Sequence, residues 1–375
     1  MYYKTEPNQM YNNIKNKIMI NRLITKNVLL ASLIILFVAG CAPRWDIDNP
    51  YESVDWTNHN QYKGNLHTHT THSDGRMNPH QVVDTYHELG YDFLAITDHN
   101  QVTYPWTQFS DLEPSNGSIN RMESAPEQMP ENLIFEDRDP RALGMIDIQG
   151  NELSRHHHTG SFFNDHNGTT TEVESLEAVA AKNGIAMLYH PGRYQRRDPG
   201  HYNLEWYLDL YENYDHLIGM EVYNQGDRYP QDRMIWDSVL TVLMPDRPVW
   251  GYSNDDMHHL SRLGQNWTVM ILPELTHESV RNVMENGLSY FVYAPQGHDG
   301  PQPPVIQSIE VNNRRGTIDI TASNYDSVTW ISEGNIVHTG NTVNLNELEA
   351  TGNYIRAKLY GPGDIVVGTQ PFGIR

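Results

Sequence analysis

Two periodicities divide the chain. From Gly64 to about Pro295, short apolar runs alternate with segments of helical period. "DFLAITD", "MIDIQGNEL", "GIAMLYH", "LIGMEVYN", "RPVWGYS" and "WTVMILP" have the length and polar borders of buried strands. Between them, "PHQVVDTYHELG", "EVESLEAVAAKNG", "NLEWYLDLYEN", "QDRMIWDSVLTVL" and "THESVRNVMENG" repeat apolar residues three and four apart, as one helix face requires. Pro79 opens the first, and Gly90, Gly184 and Gly287 close three of them. Such alternation predicts an α/β fold with a parallel sheet or barrel over residues 64–295. After "PQGHDGPQPP" the period becomes two, in "SIEVNN", "GTIDITAS", "SVTWISEG", "NYIRAKLYG" and "DIVVGTQPF". That tail predicts a small all-β sandwich over residues 303–375. Residues 100–143 break the rhythm. They are rich in Pro, Ser, Asn and Glu, and too long for an ordinary connection, so they read as an insertion on one face. Residues 42–63 are polar and read as a tether.

The N-terminus carries a different signal. An apolar run from Val28 to Val38 follows Lys26 and ends in Val38-Ala39-Gly40-Cys41. The run is short for a membrane span and has the form of a secretory segment. Val-Ala-Gly-Cys resembles a bacterial lipobox, in which Cys41 is lipidated and becomes the mature N-terminus. The alternative is an ordinary N-terminal anchor helix. Cys41 is the only cysteine, so no intrachain disulfide forms and no cysteine-based zinc site exists. The expected location is the bacterial cell envelope, lipid-anchored on the periplasmic face or outer surface.

Net charge narrows the partners. The chain carries −21, and its first 40 residues carry +4, which leaves −25 for the remainder. A surface of that sign repels phosphate backbones, so no nucleic-acid partner is expected.

The 19 histidines change the picture because they cluster. His67, His69 and Asp74 follow one predicted strand. Asp98 and His99 follow the next, then come Glu152 with His156, His157 and His158, then His190, then Asp256 and His258. In a barrel, the C-terminal ends of strands converge on one face. Side chains two apart on a strand point the same way, so His67 and His69 can clamp one ion, as can Asp256 and His258 if extended geometry persists there. Imidazole with carboxylate suits zinc, manganese or iron. Eight or nine ligands are too many for one tetrahedral ion, so two or three divalent ions sharing a bridging carboxylate fit the count better. Arg193, in "HPGR", sits where a cation suits a phosphate oxygen. Glu221 and Asn224 lie near the mouth and read equally well as structural, and His201, His259 and His298 carry no assignment.

The order His67-x-His69 with Ser73-Asp74-Gly75, Thr97-Asp98-His99, Gly150-x-Glu152, His190-Pro191 and Asp256-x-His258 resembles the PHP (polymerase and histidinol phosphatase) superfamily. The resemblance covers about Gly64 to Pro295. It implies a distorted (β/α)7 barrel, a trinuclear metal site and hydrolysis of phosphate esters. Carried over, it assigns His67, His69 and Asp256 to a first ion and Glu152 to a bridge between first and second. It assigns His190 and one of residues 156–158 to the second ion, and Asp74, His99 and His258 to the third. Asp98 becomes a residue that orients an imidazole. Two departures stand out. Three consecutive histidines blur one ligand, with His157 or His158 favoured over His156 because "TGSFF" follows directly. Asp255 competes with Asp256, and the Asp-x-His spacing selects Asp256.

The reaction expected is metal-assisted hydrolysis of a small phosphorylated substrate, with a hydroxide bridging two ions as nucleophile and Arg193 neutralising a phosphoryl oxygen. A phosphodiesterase, a hydrolase of another bond, and a non-enzymatic metal- or glycan-binding lipoprotein are the rival readings. The lipobox has its own test. Cys41→Ser is expected to move the protein from the membrane to the soluble fraction, or to block its processing. A wild type that fractionates as soluble and unlipidated by mass spectrometry would reject the anchor.

Overall fold

The computed structural model describes residues 45–113 and 133–375. Cys41 with its lipobox, and the middle of the 100–143 insertion, lie outside the described residues. In chain order the elements are β1 (Ile47–Asp48), β2 (Asn60–Asn65), α1 (Pro79–Glu88), β3 (Phe93–Ala95), α2 (Pro140–Leu143), β4 (Ile146–Ile148), β5 (Gly150–Leu153), β6 (Thr159–Phe162), α3 (Glu172–Ala181), β7 (Ile185–Leu188), α4 (Pro191–Arg197), α5 (Leu204–Asn213), β8 (Leu217–Asn224), α6 (Gln231–Leu243), β9 (Trp250–Asn254), β10 (Asn266–Leu272), α7 (His277–Asn286) and β11 (Ser289–Tyr293). Then follow β12 (Val305–Asn312), β13 (Thr317–Ser323), β14 (Ser327–Ser332), β15 (Asn335–Thr339), β16 (Thr342–Asn344), β17 (Tyr354–Gly361), β18 (Ile365–Thr369) and β19 (Phe372–Ile374).

Local chemistry explains the helix ends. Asn78 caps α1 in a capping box with Gln81, and Pro79 takes the first turn, where its missing N–H costs nothing. The side chains of Thr171, Asn203 and Thr276 cap α3, α5 and α7. α4 lies in no segment the periodicity predicts, because seven residues behind a proline are too few to show a helical period.

The resemblance implied a distorted (β/α)7 barrel and the alternation a parallel sheet or barrel, and the strands depart from a closed barrel. They form an 11-stranded sheet in the order β1-β19-β17-β18-β11-β10-β2-β3-β4, with β14 and β15 joined beside β17. They also form a five-stranded sheet, β5-β6-β7-β8-β9, and a three-stranded one, β12-β13-β16. β2–β3–β4 and β7–β8–β9 are parallel, whereas β5–β6–β7 and β2–β10–β11 are antiparallel. Only residues 154–158 separate β5 from β6, too few for the crossover that parallel pairing needs. The two larger sheets meet through the isolated parallel bridges Thr68–Met257 and His99–Glu152. Those bridges stand where the histidine-bearing segments leave their strands, so the ladder stops where side chains must turn to a shared centre.

The C-terminal strands continue the sheet of the α/β part. β18 pairs antiparallel with β11 from Tyr290–Thr369 to Tyr293–Val366, and β1 pairs with β19. Within the residues expected as a tether, Ile47 and Tyr51 are buried. Side chains fix the same contact. Asp237 on α6 accepts from Tyr354 Oη at 2.7 Å and from Arg356 Nε and Nη2 at 2.8 and 2.7 Å. Arg356 is 3% exposed and also faces the Trp236 ring. Around this junction Tyr207, Tyr211, Met220, Leu240 and Phe291 are buried in one apolar cluster. Each such side chain contributes on the order of 1.5–3 kcal/mol relative to exposure.

A buried guanidinium stripped of its carboxylate is a costly defect. Asp237→Ala is therefore expected to lower unfolding free energy by about 3–5 kcal/mol, and Asp237→Ala with Arg356→Met by less. Urea unfolding checks the order. A single variant as stable as wild type would remove the ion pair from the account of this junction.

Candidate metal centre

Nine side chains converge where the two larger sheets meet. His67 and His69 follow β2, with Asp74 at the turn beyond, and His99 follows β3. Glu152 lies in β5, His158 just before β6, His190 just after β7, and Asp256 and His258 after β9. Glu152 is the hub and is 1% exposed. Its Oε2 lies 3.5, 3.3 and 2.9 Å from His67 Nε2, His69 Nε2 and His99 Nδ1. Its Oε1 lies 2.5 and 3.4 Å from His158 Nδ1 and His190 Nε2. Asp256 Oδ1 lies 3.4, 3.3 and 3.3 Å from His67 Nε2, His69 Nε2 and His258 Nδ1. Asp74 Oδ1 completes the outer side, 3.3 Å from His99 Nε2 and 3.0 Å from His258 Nε2.

These residues fit divalent ions. Two ligands each about 2.0–2.2 Å from a tetrahedral ion stand roughly 3.3–3.6 Å apart, close to most of these spacings. Four sets have donor atoms within 4.8 Å of one another: His69, Asp74, His99 and His258; His67, Glu152 and His190; His67, His69 and Asp256; and His99, Glu152 and His158. His67 Nε2, His69 Nε2, His99 Nδ1, His158 Nδ1, Asp74 Oδ1 and both Glu152 oxygens are buried without a partner in hydrogen-bonding geometry. Buried polar atoms are ordinarily satisfied, and such a concentration at one point is what a bound cation relieves.

Further residues aim the ligands. Glu221 Oε1 lies 2.9 Å from His67 Nδ1, which leaves Nε2 facing the centre. Glu221 Oε2 accepts from the His190 amide at 2.8 Å, and Asn224 Nδ2 donates to the same oxygen. The Tyr189 ring stacks on His67 with centroids 3.7 Å apart. A β-carbon at residue 160 would stand 2.5 Å from that ring, so Gly160 is required there. Gly75 has the same role, since a β-carbon would meet the His69 carbonyl at 2.3 Å. Ser73 Oγ lies 3.3 Å from His69 Nδ1.

Four of the sequence assignments change or sharpen. Asp98 touches no imidazole. Its carboxylate accepts from Thr70 N and Oγ1, Ser73 Oγ and Thr103 Oγ1 at 2.6–2.8 Å, so it acts on His69 only through Ser73. His157 leaves the cluster. Residues 154–158 form a corner, not a strand, and the His157 ring stacks on Tyr194 and Trp206 while His158 turns to Glu152. Asp255 is structural, accepting from the amides of Gly264, Gln265 and Asn266 and from Tyr86 Oη. Asp256 does face the centre, but through a left-handed backbone with φ 45° that replaces the extended alternation expected there.

A cavity of about 420 Å³ opens over the outer side of the cluster. Asp74, His99, Glu152, His158, His190, Asp256 and His258 line it, and so does Arg193. Sequence reasoning missed Gln225, Arg228, Tyr229 and Arg262, and gave His259 no role, yet all five line the wall. The available signal was position: Gln225 and Arg228 follow β8, and Arg262 follows the Asp-x-His segment after β9.

Charge state follows burial and company. Burial alone would push His67 down, but Asp256, Glu221 and Glu152 outweigh it and raise it to about 10. His99 rises to about 9 against the same burial, through Glu152 and Asp74. Burial and the neighbouring His190 and His99 lower His158 to about 4, despite Glu152. Burial works against ionisation of Asp74, Glu152 and Asp256 too, yet the surrounding imidazoles hold all three below the usual carboxylate range.

No family model matches the chain. It is 34% identical over 56 residues to the DNA polymerase/3′-5′ exonuclease PolX of Bacillus subtilis, and spans about a tenth of that protein's length (10%). Among solved structures it is similar to a two-domain protein of Bacteroides vulgatus described as containing a predicted PHP-like metal-dependent phosphoesterase. That likeness has 15% identity and a TM-score of 0.47, covering 83% of this chain and 92% of the other. A lesion-specific endonuclease of Pyrococcus furiosus is similar at 14% identity and a TM-score of 0.39, covering 60% of this chain and 56% of that one.

Without metal, His67 and His99 hold protons through neutral pH. A group raised above its unfolded value of 6.5 stabilises the fold fully below that pH and stops doing so as pH climbs through its folded value. Chelator-treated protein is therefore expected to lose stability between about pH 6.5 and 10, whereas metal-loaded protein, whose ions replace those protons, is not. Unfolding midpoints across that range check this. A flat profile after chelation would show that the imidazoles are not held protonated by the carboxylates.

Proposed function

We propose that the chain is a metal-dependent phosphoesterase of the PHP kind, acting as a phosphatase on a small phosphorylated substrate. The observation that carries the reading is Glu152, one buried carboxylate whose two oxygens face separate sets of imidazoles. His67, His69, Asp256, Glu152, His158, His190, Asp74, His99 and His258 would hold two or three divalent ions of zinc, manganese or iron. When bound, such ions lower the pKa of water toward neutrality and offset charge on phosphoryl oxygens.

The chain's own residues supply position and charge. Glu221 fixes the His67 ring and the His190 backbone together, so ligands from β2 and β7 keep one spacing. His67, His69, Glu152 and His190 are at most 1% exposed, while His99, His158, His258 and Asp74 are half-buried toward the cavity. Those four side chains open the cluster to the cavity. Arg193 stands on that side, at the first turn of α4 directly after His190, and suits a phosphoryl oxygen better than a neutral ester. The reading includes a lipid anchor at Cys41 and residence in the cell envelope.

The test is a panel of phosphomonoesters, phosphodiesters, a carboxylic ester and an amide, given to protein loaded with zinc, manganese or iron. Phosphate release is expected, and His67→Ala with Asp256→Ala should lower bound metal and abolish it. Arg193→Ala should keep its metal and lose about 10²–10³ in kcat/KM at most, more on the monoester than the diester. Turnover of the carboxylic ester or amide without any phosphoester would overturn the assignment, and equal losses on both phosphoesters would favour a diesterase.

A further inference from the structure

The cavity holds more cation than one phosphoryl group can use. Its lining carboxylates are Asp74, Glu152 and Asp256, all in the cluster itself. Two divalent ions would already exceed their charge, and Arg193 adds a guanidinium beside His190. Arg228 and Arg262 remain. Among the described residues neither has a carboxylate within 4.0 Å, in a chain of net charge −21.

Their placement is built, not incidental. Arg228 follows β8 and Arg262 follows β9, yet both donate to Gln225, Arg228 to its side-chain oxygen and Arg262 to its carbonyl at 3.2 Å. Gln225 is 8% exposed and in turn donates from Nε2 to Asp256 Oδ2 at 2.9 Å. Gln225 thus meets both guanidiniums, Arg228 through its side-chain oxygen and Arg262 through its backbone carbonyl, and its side-chain nitrogen ties the pair to a residue of the metal cluster. Gln225 has a φ of 46°, and Asn266, which bonds to both N and O of Gly226, fixes the turn behind it. The Tyr229 ring, 5.3 Å from the Arg228 guanidinium carbon, completes the wall.

We infer that Arg228 and Arg262, held by Gln225, form a second anion subsite, and that the substrate carries a second phosphate or comparable anionic group. This rests on the phosphoesterase reading for the first group. The geometry asks for a short molecule, because Arg193, Arg228 and Arg262 line one cavity of about 420 Å³.

The probes are alkane-α,ω-diyl bisphosphates of two to four carbons and alkyl monophosphates of equal length. Calorimetry measures binding to metal-loaded protein, and phosphate release is followed separately. At least one bisphosphate is expected to bind about 10–100-fold tighter than its monophosphate, the range for one or two charge-assisted contacts. In Arg228→Met with Arg262→Met that ratio should collapse toward one with metal content retained. Equal affinities in the wild type, a ratio that survives the substitutions, or a parallel fall of both affinities would overturn the second subsite. The parallel fall would assign the arginines to the reacting phosphoryl group. A bisphosphate preference without hydrolysis of any phosphoester would instead reject the phosphoesterase reading and leave the subsite standing.

Discussion

A carboxylate almost sealed from water, with imidazole nitrogens on every side of both oxygens, is the constraint on which the rest is arranged. Burying Glu152 costs several kcal/mol unless positive charge meets it. In the metal-free chain that charge is protons on His67, His69 and His99; with ions bound it is the ions. Either way the residues from β2, β3, β5, β7 and β9 are drawn to one point. The parallel ladders end just short of it, which is why the sheets join there by single bridges.

The backbone bends to meet the same demand. Asn100, His190, Gln225 and Asp256 all have positive φ, and each is a ligand or stands beside one. Non-glycine residues in that region are uncommon and carry local strain, which the surrounding packing must offset. Here the offset is visible. The His190 amide is held by Glu221, Asn100 by a bond from its amide to the Glu152 carbonyl, and Asp256 by Gln225. The network that orients the ligands therefore also holds the turns that present them.

Much of this was legible in the sequence. The nine side chains that converge lie in the clusters of histidine and carboxylate at the ends of apolar runs, because strand ends bring distant segments together. What was illegible has specific causes. His157 and His158 are adjacent in a corner where alternation has no meaning, so only the aromatic pocket of Tyr194 and Trp206 decides between them. Asp256 was chosen by spacing, yet it reaches the centre through a left-handed turn that spacing cannot show. Gln225, Arg228 and Arg262 come together only in three dimensions. The alternation left a parallel sheet or a barrel open and the resemblance chose the barrel; alternating runs do not reveal that β6 pairs antiparallel with both of its neighbours. The tail was expected as a sandwich of its own, whereas β14, β15, β17, β18 and β19 belong to the sheet that holds β11, a pairing that leaves no mark on the tail's own pattern.

That last pairing bears on modularity. A domain joined by side chains can be cut away and leave its partner whole. Here the join adds to its side-chain contacts a row of backbone hydrogen bonds from β18 to β11. Were the chain to end before β12, β11 would become a bare sheet edge of Ser289-Tyr-Phe-Val-Tyr293, apolar and ready to recruit a strand from another copy. The C-terminal strands thus act as a guard against self-association, and evolution could exchange them only for another strand that covers the same edge.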